Sequence, residues 1–203
     1  MILVGYSGRD RTAVQEHIRE LEALGVAPPP RVPALYTVSP TLVSTRPTLA
    51  APNSETSGEA EFVLLPTPDG VLVGVGSDHT DRAHEAIDVA ESKARCGKII
   101  SHHVWRMHDL EPHWDRLELR AWTTDQSGRR LYQDGFLATL LTPAQLLAEV
   151  QHAGMSTAHA LIFSGTLATM GGFAFGSQFD VELHDPVLMR QLRCAYDVVV
   201  ATP

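Results

Sequence analysis

Two acidic residues near the middle of the chain have the types and spacing of a site for a divalent cation. Glu59 and Glu61 lie two positions apart in the run EAEFVLL. Because alternate residues of a strand project from one face, both carboxylates would share a face with Val63 and Leu65. Neighbouring carboxylates repel each other unless a proton or cation lies between them, and oxygen ligands suit Mg²⁺, Mn²⁺ or Ca²⁺. The alternative interpretation is a frayed strand end with both acids in water.

A third acid, Asp78, follows in the run GVGSDHTDR. An apolar segment ends there, so we predict that Asp78 lies at or near the N-cap of a helix reaching Arg95. A simple helix cap is the alternative interpretation of this residue. The segment PTPDG, residues 66–70, is typical of the turn in a β-hairpin. Such a hairpin would pair the strand of Glu59 with the strand that leads to Asp78, and all three carboxylates would approach one point.

Composition places the chain among folded proteins and argues against some partners. It has 203 residues, 44% hydrophobic and 20% charged, which is sufficient for one domain with a substantial core. We divide this domain into an N-terminal helix and lead-in segment, 1–57, and a β-rich core, 58–203. The net charge of -8 argues against a broad nucleic-acid surface, which needs a basic stripe.

The cysteines and the apolar runs predict a cytoplasmic location and no membrane partner. Cys96 and Cys194 do not form a disulfide framework, and a reducing compartment explains them more simply than a chance pairing does. The N-terminus MILVGYSGRD lacks the long apolar stretch of a signal peptide. No run approaches the roughly 20 apolar residues that a membrane helix needs.

The elements around these acids predict an α+β protein that is mostly β. Residues 10–24 have the apolar spacing of an amphipathic helix, with Gly25 as a candidate C-cap. From Glu59 onwards the pattern is dominated by short strands. A third helix is predicted for 142–153, with Thr142 as its cap. The absence of a regular βαβ rhythm argues against a doubly wound fold.

Several short motifs, taken in order, resemble those of the fumarylacetoacetate hydrolase superfamily. The Glu-x-Glu pair is followed by Asp-His-Thr-Asp-Arg, residues 78–82, which is similar to the Asp-Val-Ser-Ala-Arg segment of that family. Gln-Asp-Gly at 133–135 matches a family segment, and Ser-Gly-Thr at 164–166 resembles its Thr-Gly-Thr loop. The resemblance covers about residues 59–201. It departs from the family between Glu61 and Asp78, where the connecting stretch is short.

The resemblance implies a mixed β-roll or β-sandwich with peripheral helices, assembled as a homodimer. It implies Mg²⁺, or Mn²⁺, held by Glu59, Glu61 and Asp78. It also implies a lysine beside the metal, for which Lys93 is our candidate and Lys98 the rival. A Gly-Thr loop would contact the substrate's carboxylate or keto group. The substrate-binding residues that we assign are Arg82, Gly165, Thr166 and Tyr36.

The function implied by the resemblance is a metal-dependent C–C bond hydrolase or lyase. Its substrate would be a small 2-oxo acid or 1,3-dicarbonyl acid, such as an acylpyruvate, converted through a metal-stabilised enolate. A nearby base, for which His79 is the candidate, would move a proton near neutral pH. Whether His17 and Glu20 activate a water molecule is left open.

Three alternatives remain at this stage. The same fold would also serve a hydratase, an isomerase or a decarboxylase of 2-oxo acids. A second alternative is a catalytically inactive relative that binds a ligand. A third is a zinc enzyme that uses His102, His108 or His113, although no HxxxH or HExxH spacing is present.

Overall fold

The computed structural model describes residues 1–23 and 27–201, which form fifteen strands and five α-helices. The strands of the first half are β1 Ile2–Gly5, β2 Ala34–Thr37, β3 Val43–Ser44, β4 Thr48–Ala51, β5 Thr56–Ser57, β6 Ala60–Thr67, β7 Gly70–Asp78, β8 Thr80–Asp81 and β9 Lys98–Ile100. Those of the second half are β10 Trp105–Arg106, β11 Glu118–Asp125, β12 Gly128–Phe136, β13 Ile162–Phe163, β14 Gln178–Asp185 and β15 Arg190–Val200. The helices are α1 Arg11–Ala23, α2 Arg82–Glu85, α3 Val89–Ala94, α4 Met107–Leu110 and α5 Pro143–His152.

Two mixed β-sheets enclose the main hydrophobic core. The first has the strand order β2-β1-β13-β6-β7-β9-β3, with β10 paired to β7, and the second has the order β12-β11-β14-β15-β4. Phe62 and Val75 from the first sheet pack in one apolar cluster with Leu119 and Val181 from the second. The segment 1–57 contributes strands to both sheets, because β1, β2 and β3 join the first and β4 joins the second.

The hairpin predicted from PTPDG is confirmed. Strands β6 and β7 pair antiparallel from Ala60↔Ser77 to Thr67↔Gly70. Gly70 closes the turn with φ +123°, a backbone conformation that residues with a Cβ rarely adopt. This hairpin fixes Glu59 opposite Asp78, where the Asp78 N–H donates to the Glu59 carbonyl at 3.0 Å.

The single helix predicted for Asp78 to Arg95 is wrong. Asp78 is the last residue of β7, where it pairs with Lys98 of β9. After β8 the chain forms two short helices, α2 and α3, whose N-caps are Asp81 and Asp88. Pairing between strands that are distant in sequence overrides the local helical pattern, and a second capping aspartate restarts the helix.

The helix predicted for 142–153 is confirmed in α5. Thr142 accepts from the Gln145 N–H, and Gln145 completes a capping box behind Pro143. In α1 the residues Val14 and Ile18 face the core as expected. The predicted end of this helix, at Leu24 and Gly25, lies outside the described residues. Within the part of the chain that is described, no helix combines the length and the apolar character needed to cross a membrane.

Strand direction brings several chain segments together at one end of the central strands of the first sheet. Strand β13 runs parallel to β1 and antiparallel to β6, and β7 runs antiparallel to β6. The C-terminal ends of β1, β13 and β7 and the start of β6 therefore lie side by side at this end of the sheet. The residues found there are Glu59, Glu61, Asp78, the loop that begins at Ser164, and the residues that follow Gly5.

Candidate metal centre

Three carboxylates converge at the end of the first sheet where β6 begins and β7 ends. Glu59, Glu61 and Asp78 each offer an oxygen within 4.8 Å of the others. Glu61 and Asp78 are buried, and only 13% of the Glu59 side chain is exposed. The hairpin thus assembles the three acids as the sequence predicted. Three convergent carboxylates form a group that is able to hold a hard divalent cation.

Two lysines flank the acids, and their contacts differ. Lys93 Nζ lies 3.0 Å from Glu59 Oε2 and 2.6 Å from Asp78 Oδ2, so its ammonium bridges two carboxylates. Lys98 is fully buried and donates to the carbonyls of His79 and Lys93, at 2.6 Å each. Its ammonium also lies 2.7 Å from Asp78 Oδ1, but without hydrogen-bond alignment. Lys93 therefore fits the lysine expected beside the metal, and Lys98 holds the backbone around it.

Arg82 is held by protein groups on several sides. Its guanidinium lies 3.0 Å from Glu59 Oε1, binds both carboxylate oxygens of Glu85, and donates from Nε to Ser57 Oγ at 2.7 Å. The ring of Phe173 covers one face, with its centroid 4.2 Å from Cζ. These contacts make Arg82 a clamp on Glu59. Its assignment as a substrate-binding residue remains a prediction.

The pKa values of the three acids are shifted in different directions. Burial opposes ionisation of Asp78, but Lys93 and Lys98 outweigh it and lower the pKa of Asp78 to about 2. Burial likewise opposes ionisation of Glu59, and Arg82 and Lys93 lower its pKa overall. Burial and the neighbouring Asp78 raise the pKa of Glu61 well above its usual value.

The raised pKa of Glu61 tests whether a cation fits this group. The only hydrogen bond described for the Glu61 carboxylate comes from the Gly165 N–H, at 2.8 Å. Four carboxylates, Glu85 included, face three cationic side chains here. A buried acid with so little compensation requires either a proton or a further cation. The donor set therefore fits a divalent metal ion.

The predicted Gly-Thr loop lies directly beside this group. Gly165 contributes its N–H to Glu61, whereas the Thr166 hydroxyl donates to the Ala60 carbonyl at 2.8 Å. Gln133 Nε2 in turn donates to Thr166 Oγ1 at 2.7 Å. The loop thus supports the carboxylates from within, and substrate contact by Gly165 or Thr166 remains a prediction.

His79 does not face the three carboxylates through its imidazole. Nδ1 lies 2.9 Å from the Tyr196 hydroxyl, and Nε2 lies 2.9 Å from Thr56 Oγ1. Burial, together with Lys98 and Arg82, lowers the pKa of His79 to about 3, so the ring is neutral near pH 7. Both nitrogens are occupied, which favours a structural role. Proton transfer by His79 remains a prediction without geometric support.

The remaining histidines contribute no metal ligand to this group. Among the described residues, the acidic triad forms the one cluster of three potential ligands, and His102, His108 and His113 do not join it. His17 Nδ1 lies 3.6 Å from Glu20 Oε2 on α1, and both side chains are largely exposed. This pair has the spacing to act together, but its role in water activation is untested.

Sequence reasoning did not assign two residues that the structure places at the site. Glu85 holds Arg82, and Gln133 links Ala60 to the Gly-Thr loop through its amide. An i,i+3 pairing of Arg82 with Glu85 on a helix was available as a signal. Gln133 lies in the Gln-Asp-Gly segment that resembles the family, but this resemblance indicated no partner for its amide, because Ala60 and Thr166 are distant in sequence.

A family model and several solved structures match this chain. The model described as "Protein of unknown function (DUF2848)" matches residues 4–196. The chain belongs to this family. No curated protein matches the sequence of this DUF2848 member.

Three solved structures illustrate the fold. Cg1458 is 17% identical, with a TM-score of 0.65 over 98% of this chain and 75% of that chain. A 2-keto-3-deoxy-D-arabinonate dehydratase, in complex with magnesium and 2,5-dioxopentanoate, is 12% identical, with a TM-score of 0.65 over 100% of this chain and 73% of that one. The 4-oxalocrotonate decarboxylase from Pseudomonas putida G7, in complex with calcium and acetate, is 14% identical, with a TM-score of 0.60 over 98% and 76%.

These similarities establish the fold of the DUF2848 chain. They confirm the α+β, mostly β fold that was predicted from the sequence. At identities of 17% and below, the likeness concerns architecture alone.

Proposed function

We propose that this protein is a divalent-metal-dependent enzyme that acts on a small 2-oxo acid. The observation that carries the proposal is the convergence of Glu59, Glu61 and Asp78, with the Lys93 ammonium in contact with two of them. Mg²⁺ is the ion that we assign, with Mn²⁺ as a substitute, because the donors are all carboxylate oxygens. Magnesium and calcium in two structures of the same fold support this choice.

The protein groups have distinct tasks in this proposal. When bound, the metal would supply a Lewis acid that polarises the 2-oxo group. Lys93 stays protonated, because Asp78 and Glu59 outweigh the burial that lowers its pKa. In this proposal its ammonium stabilises the negative charge that develops on the substrate's carbonyl oxygen. Arg82 holds Glu59, and the Gly165 N–H holds Glu61, so both carboxylates are pre-oriented.

Hydrolysis or lysis of a C–C bond in an acylpyruvate is the reaction that we favour. Heterolysis beside a polarised carbonyl leaves the electron pair on the 2-oxo fragment, where Lys93 compensates the charge. Hydrolysis also needs an activated water molecule. His17 and Glu20 are our candidates for this task, since they lie 3.6 Å apart on a helix that follows β1.

A dehydratase or decarboxylase is the second candidate. The printed names of two proteins with this fold are a 2-keto-3-deoxy-D-arabinonate dehydratase and a 4-oxalocrotonate decarboxylase. Both reactions require the same stabilisation of charge on a 2-oxo group. An inactive, ligand-binding relative is the remaining alternative. It predicts either that the protein binds no metal or that it binds metal without turning over a substrate.

Metal titration by calorimetry tests the site. We expect Mg²⁺ and Mn²⁺ to bind the unmodified protein, and Glu61→Gln and Asp78→Asn to lose this binding. Glu182→Gln is a matched control, because Glu182 is a largely buried carboxylate on the second sheet, paired to Arg120. Binding that survives both site substitutions would disprove the three-acid centre.

A turnover screen then separates the reactions. Acetylpyruvate and oxaloacetate would be supplied to the Mg²⁺-loaded protein, and pyruvate would be followed by a coupled assay. Release of acetate with pyruvate identifies C–C hydrolysis, whereas release of CO₂ identifies decarboxylation. Metal binding without turnover of either compound would favour the inactive relative.

We also propose that the protein is a homodimer, which sedimentation equilibrium would test.

A further inference from the structure

One buried tyrosine of the second sheet contacts the residues on both sides of Asp78. Tyr196 on β15 is fully buried, and its hydroxyl lies 2.7 Å from Ser77 Oγ and 2.9 Å from His79 Nδ1. A phenol hydroxyl both donates and accepts, so it can bond both partners at once. Tyr196 therefore holds the chain immediately before and immediately after a candidate metal ligand.

Ser77 and His79 face the second sheet, whereas Asp78 faces the opposite way. Alternate residues of an extended segment project to the same side, and the first two residues share their contact with Tyr196. The Asp78 carboxylate instead contacts Lys93 Nζ at 2.6 Å. The Tyr196 hydroxyl thus supports the backbone of Asp78 from the side away from its carboxylate.

The same hydroxyl lies against the chain that leads into Glu59. A Cβ built on Gly58 would lie 2.6 Å from the Tyr196 hydroxyl oxygen and 2.6 Å from Ser77 Oγ. Cβ atoms do not approach other heavy atoms so closely, so glycine is what allows this contact. Because the Asp78 N–H also donates to the Glu59 carbonyl, Tyr196 adjoins the backbone beside two of the three candidate ligands.

Packing holds the phenol itself in place. Its ring stacks on Phe179 of β14, with centroids 5.9 Å apart and planes inclined by 20°. The His79 ring meets both rings edge-on, at 5.3 Å from Phe179 and 5.6 Å from Tyr196. Nε2 of the same imidazole lies 2.9 Å from Oγ1 of the buried Thr56. A buried polar network whose members all have partners favours one arrangement, so Tyr196 is a rigid support.

Strand pairing restrains Asp78 mainly within the plane of the first sheet. Strand β7 pairs with β6 on one side and with β9 on the other. The hydrogen bonds of such a ladder run between neighbouring strands, so they do not fix a strand against movement perpendicular to the sheet. Side-chain contacts with the facing sheet supply that restraint. At the end of β7, the hydroxyl of Tyr196 makes this contact.

We propose that Tyr196 is a positioning residue for the metal centre and that it favours Mg²⁺ over Ca²⁺. Mg²⁺ requires near-ideal octahedral geometry with oxygens at about 2.0–2.1 Å, whereas Ca²⁺ accepts flexible arrangements with oxygens at about 2.3–2.6 Å. Loss of this support would therefore weaken Mg²⁺ binding more than Ca²⁺ binding. The inference rests on the proposed function, because it assumes that Glu59, Glu61 and Asp78 hold a divalent ion.

Calorimetric titration with Mg²⁺ and with Ca²⁺ tests this role. The measured quantity is the ratio of the Ca²⁺ Kd to the Mg²⁺ Kd. We expect Tyr196→Phe to lower this ratio about tenfold through a weaker Mg²⁺ affinity, because loss of groups that orient metal ligands typically costs about 10–100-fold in affinity. Ser77→Ala removes one of the two partners of the hydroxyl and should lower the ratio by a smaller factor. Because it leaves the aromatic packing intact, it also tests the role if Tyr196→Phe does not fold.

Leu192→Ala is the matched control for a general loss of stability. Leu192 is buried on the same strand and the same face as Tyr196, about 13 Å along β15 at the usual rise per residue. Both Leu192→Ala and Tyr196→Phe should unfold at a lower urea concentration, because one leaves a cavity and the other leaves buried polar groups unpaired. Only Tyr196→Phe should change the ratio of the two Kd values.

Failure of this inference is distinguishable from failure of the proposed function. If the unmodified protein bound no Mg²⁺, the metal centre would be wrong, and this inference with it. Mg²⁺ binding with an unchanged ratio in Tyr196→Phe and Ser77→Ala would overturn the role of Tyr196 alone. An equal fall of the ratio in Leu192→Ala would also overturn it, since the effect would then be one of general stability.

Discussion

At the scale of single residues, the centre is a balance of buried charges. Lys93 bridges Glu59 and Asp78, and Lys98 anchors the backbone beside Asp78. Within the described part of the chain, the Glu61 carboxylate accepts a hydrogen bond only from the Gly165 N–H. Buried charges are costly unless they are paired, so each cation has a structural consequence in addition to any chemical one. The two lysines can be told apart by experiment because their partners differ.

Replacement of the two lysines should separate catalysis from stability. In the Mg²⁺-loaded protein, Lys93→Met is expected to lower kcat by about 10²–10³-fold, because it removes a preorganised positive charge, and to retain metal binding. Lys98→Met should instead lower the free energy of unfolding by about 3–5 kcal/mol, since it breaks a buried pair. Steady-state kinetics and urea unfolding of both variants check this. The assignment fails if the two effects are reversed.

The neutral His79 predicts a defined pH dependence of stability. Its pKa is about 3 in the folded chain, against 6.5 when unperturbed, so the unfolded chain binds more protons between these values. Stability should therefore fall as the pH drops through this window, by at most about 1.4 kcal/mol per pH unit. Glu61 works in the opposite direction, because its raised pKa favours the folded state at low pH.

A glutamine at position 79 isolates this contribution. His79→Gln cannot titrate, so the difference in unfolding free energy between it and the unmodified protein should shrink as the pH falls from 6.5 to 4. Urea unfolding at several pH values measures the difference. Parallel pH profiles for the two proteins would contradict a neutral, buried His79.

At the scale of elements, one hairpin and one loop build the centre. The β6–β7 hairpin sets Glu59 against Asp78, and the chain after β13 supplies the N–H that holds Glu61. Gly165 makes this approach possible with φ +83° and with no side chain to keep Val4 and Ser7 apart from it. The loop is therefore as necessary for the geometry as the carboxylates themselves.

Two glycine substitutions separate the cost of backbone strain at positive φ from the cost of a steric collision with Val4 and Ser7. Gly165→Ala and Gly172→Ala both place a Cβ at positive φ, which costs about 1–2 kcal/mol. Only Gly165→Ala also creates a collision, because no atom lies within 4 Å of a Cβ at Gly172. We expect a larger loss of stability and weaker Mg²⁺ affinity for Gly165→Ala alone. Equal Mg²⁺ affinities in the two variants would disprove the supporting role of the loop.

At the scale of the whole molecule, the centre lies where the first sheet meets the second. Ser77, next to Asp78 on β7, hydrogen-bonds the Tyr196 hydroxyl on β15 at 2.7 Å, and Tyr196 also contacts His79. Strands β1 to β3 join one sheet and β4 the other, so the N-terminal segment ties both together. A ligand that binds the three acids should therefore stabilise the entire fold.

Metal binding should raise the melting temperature. A ligand at about 100 times its Kd adds about 2.7 kcal/mol of stability, which corresponds to about 5–10 °C for a chain of this size. Differential scanning fluorimetry with and without Mg²⁺ measures the shift. Asp78→Asn should show no Mg²⁺-dependent shift, whereas Glu182→Gln should shift like the unmodified protein.

The sequence by itself determined the features that depend on local patterns and motif order. Alternation along EAEFVLL and the PTPDG turn predicted the hairpin, and Thr142 with Pro143 predicted the start of α5. The resemblance of the ordered motifs to the fumarylacetoacetate hydrolase superfamily implied the fold, even though each motif is short. These signals are readable because strand alternation, turn chemistry and helix capping act between residues that are close in sequence.

Tertiary structure alone decided what depends on distant contacts. Pairing with β9 placed Asp78 in a strand instead of at a helix cap. The side chain of the next residue, His79, points away from the carboxylates and towards Tyr196. The different contacts of Lys93 and Lys98 with Asp78 and the clamp of Arg82 on Glu59 both followed from packing. None of these contacts has a local signature, because sheet registry joins residues that the chain itself separates widely.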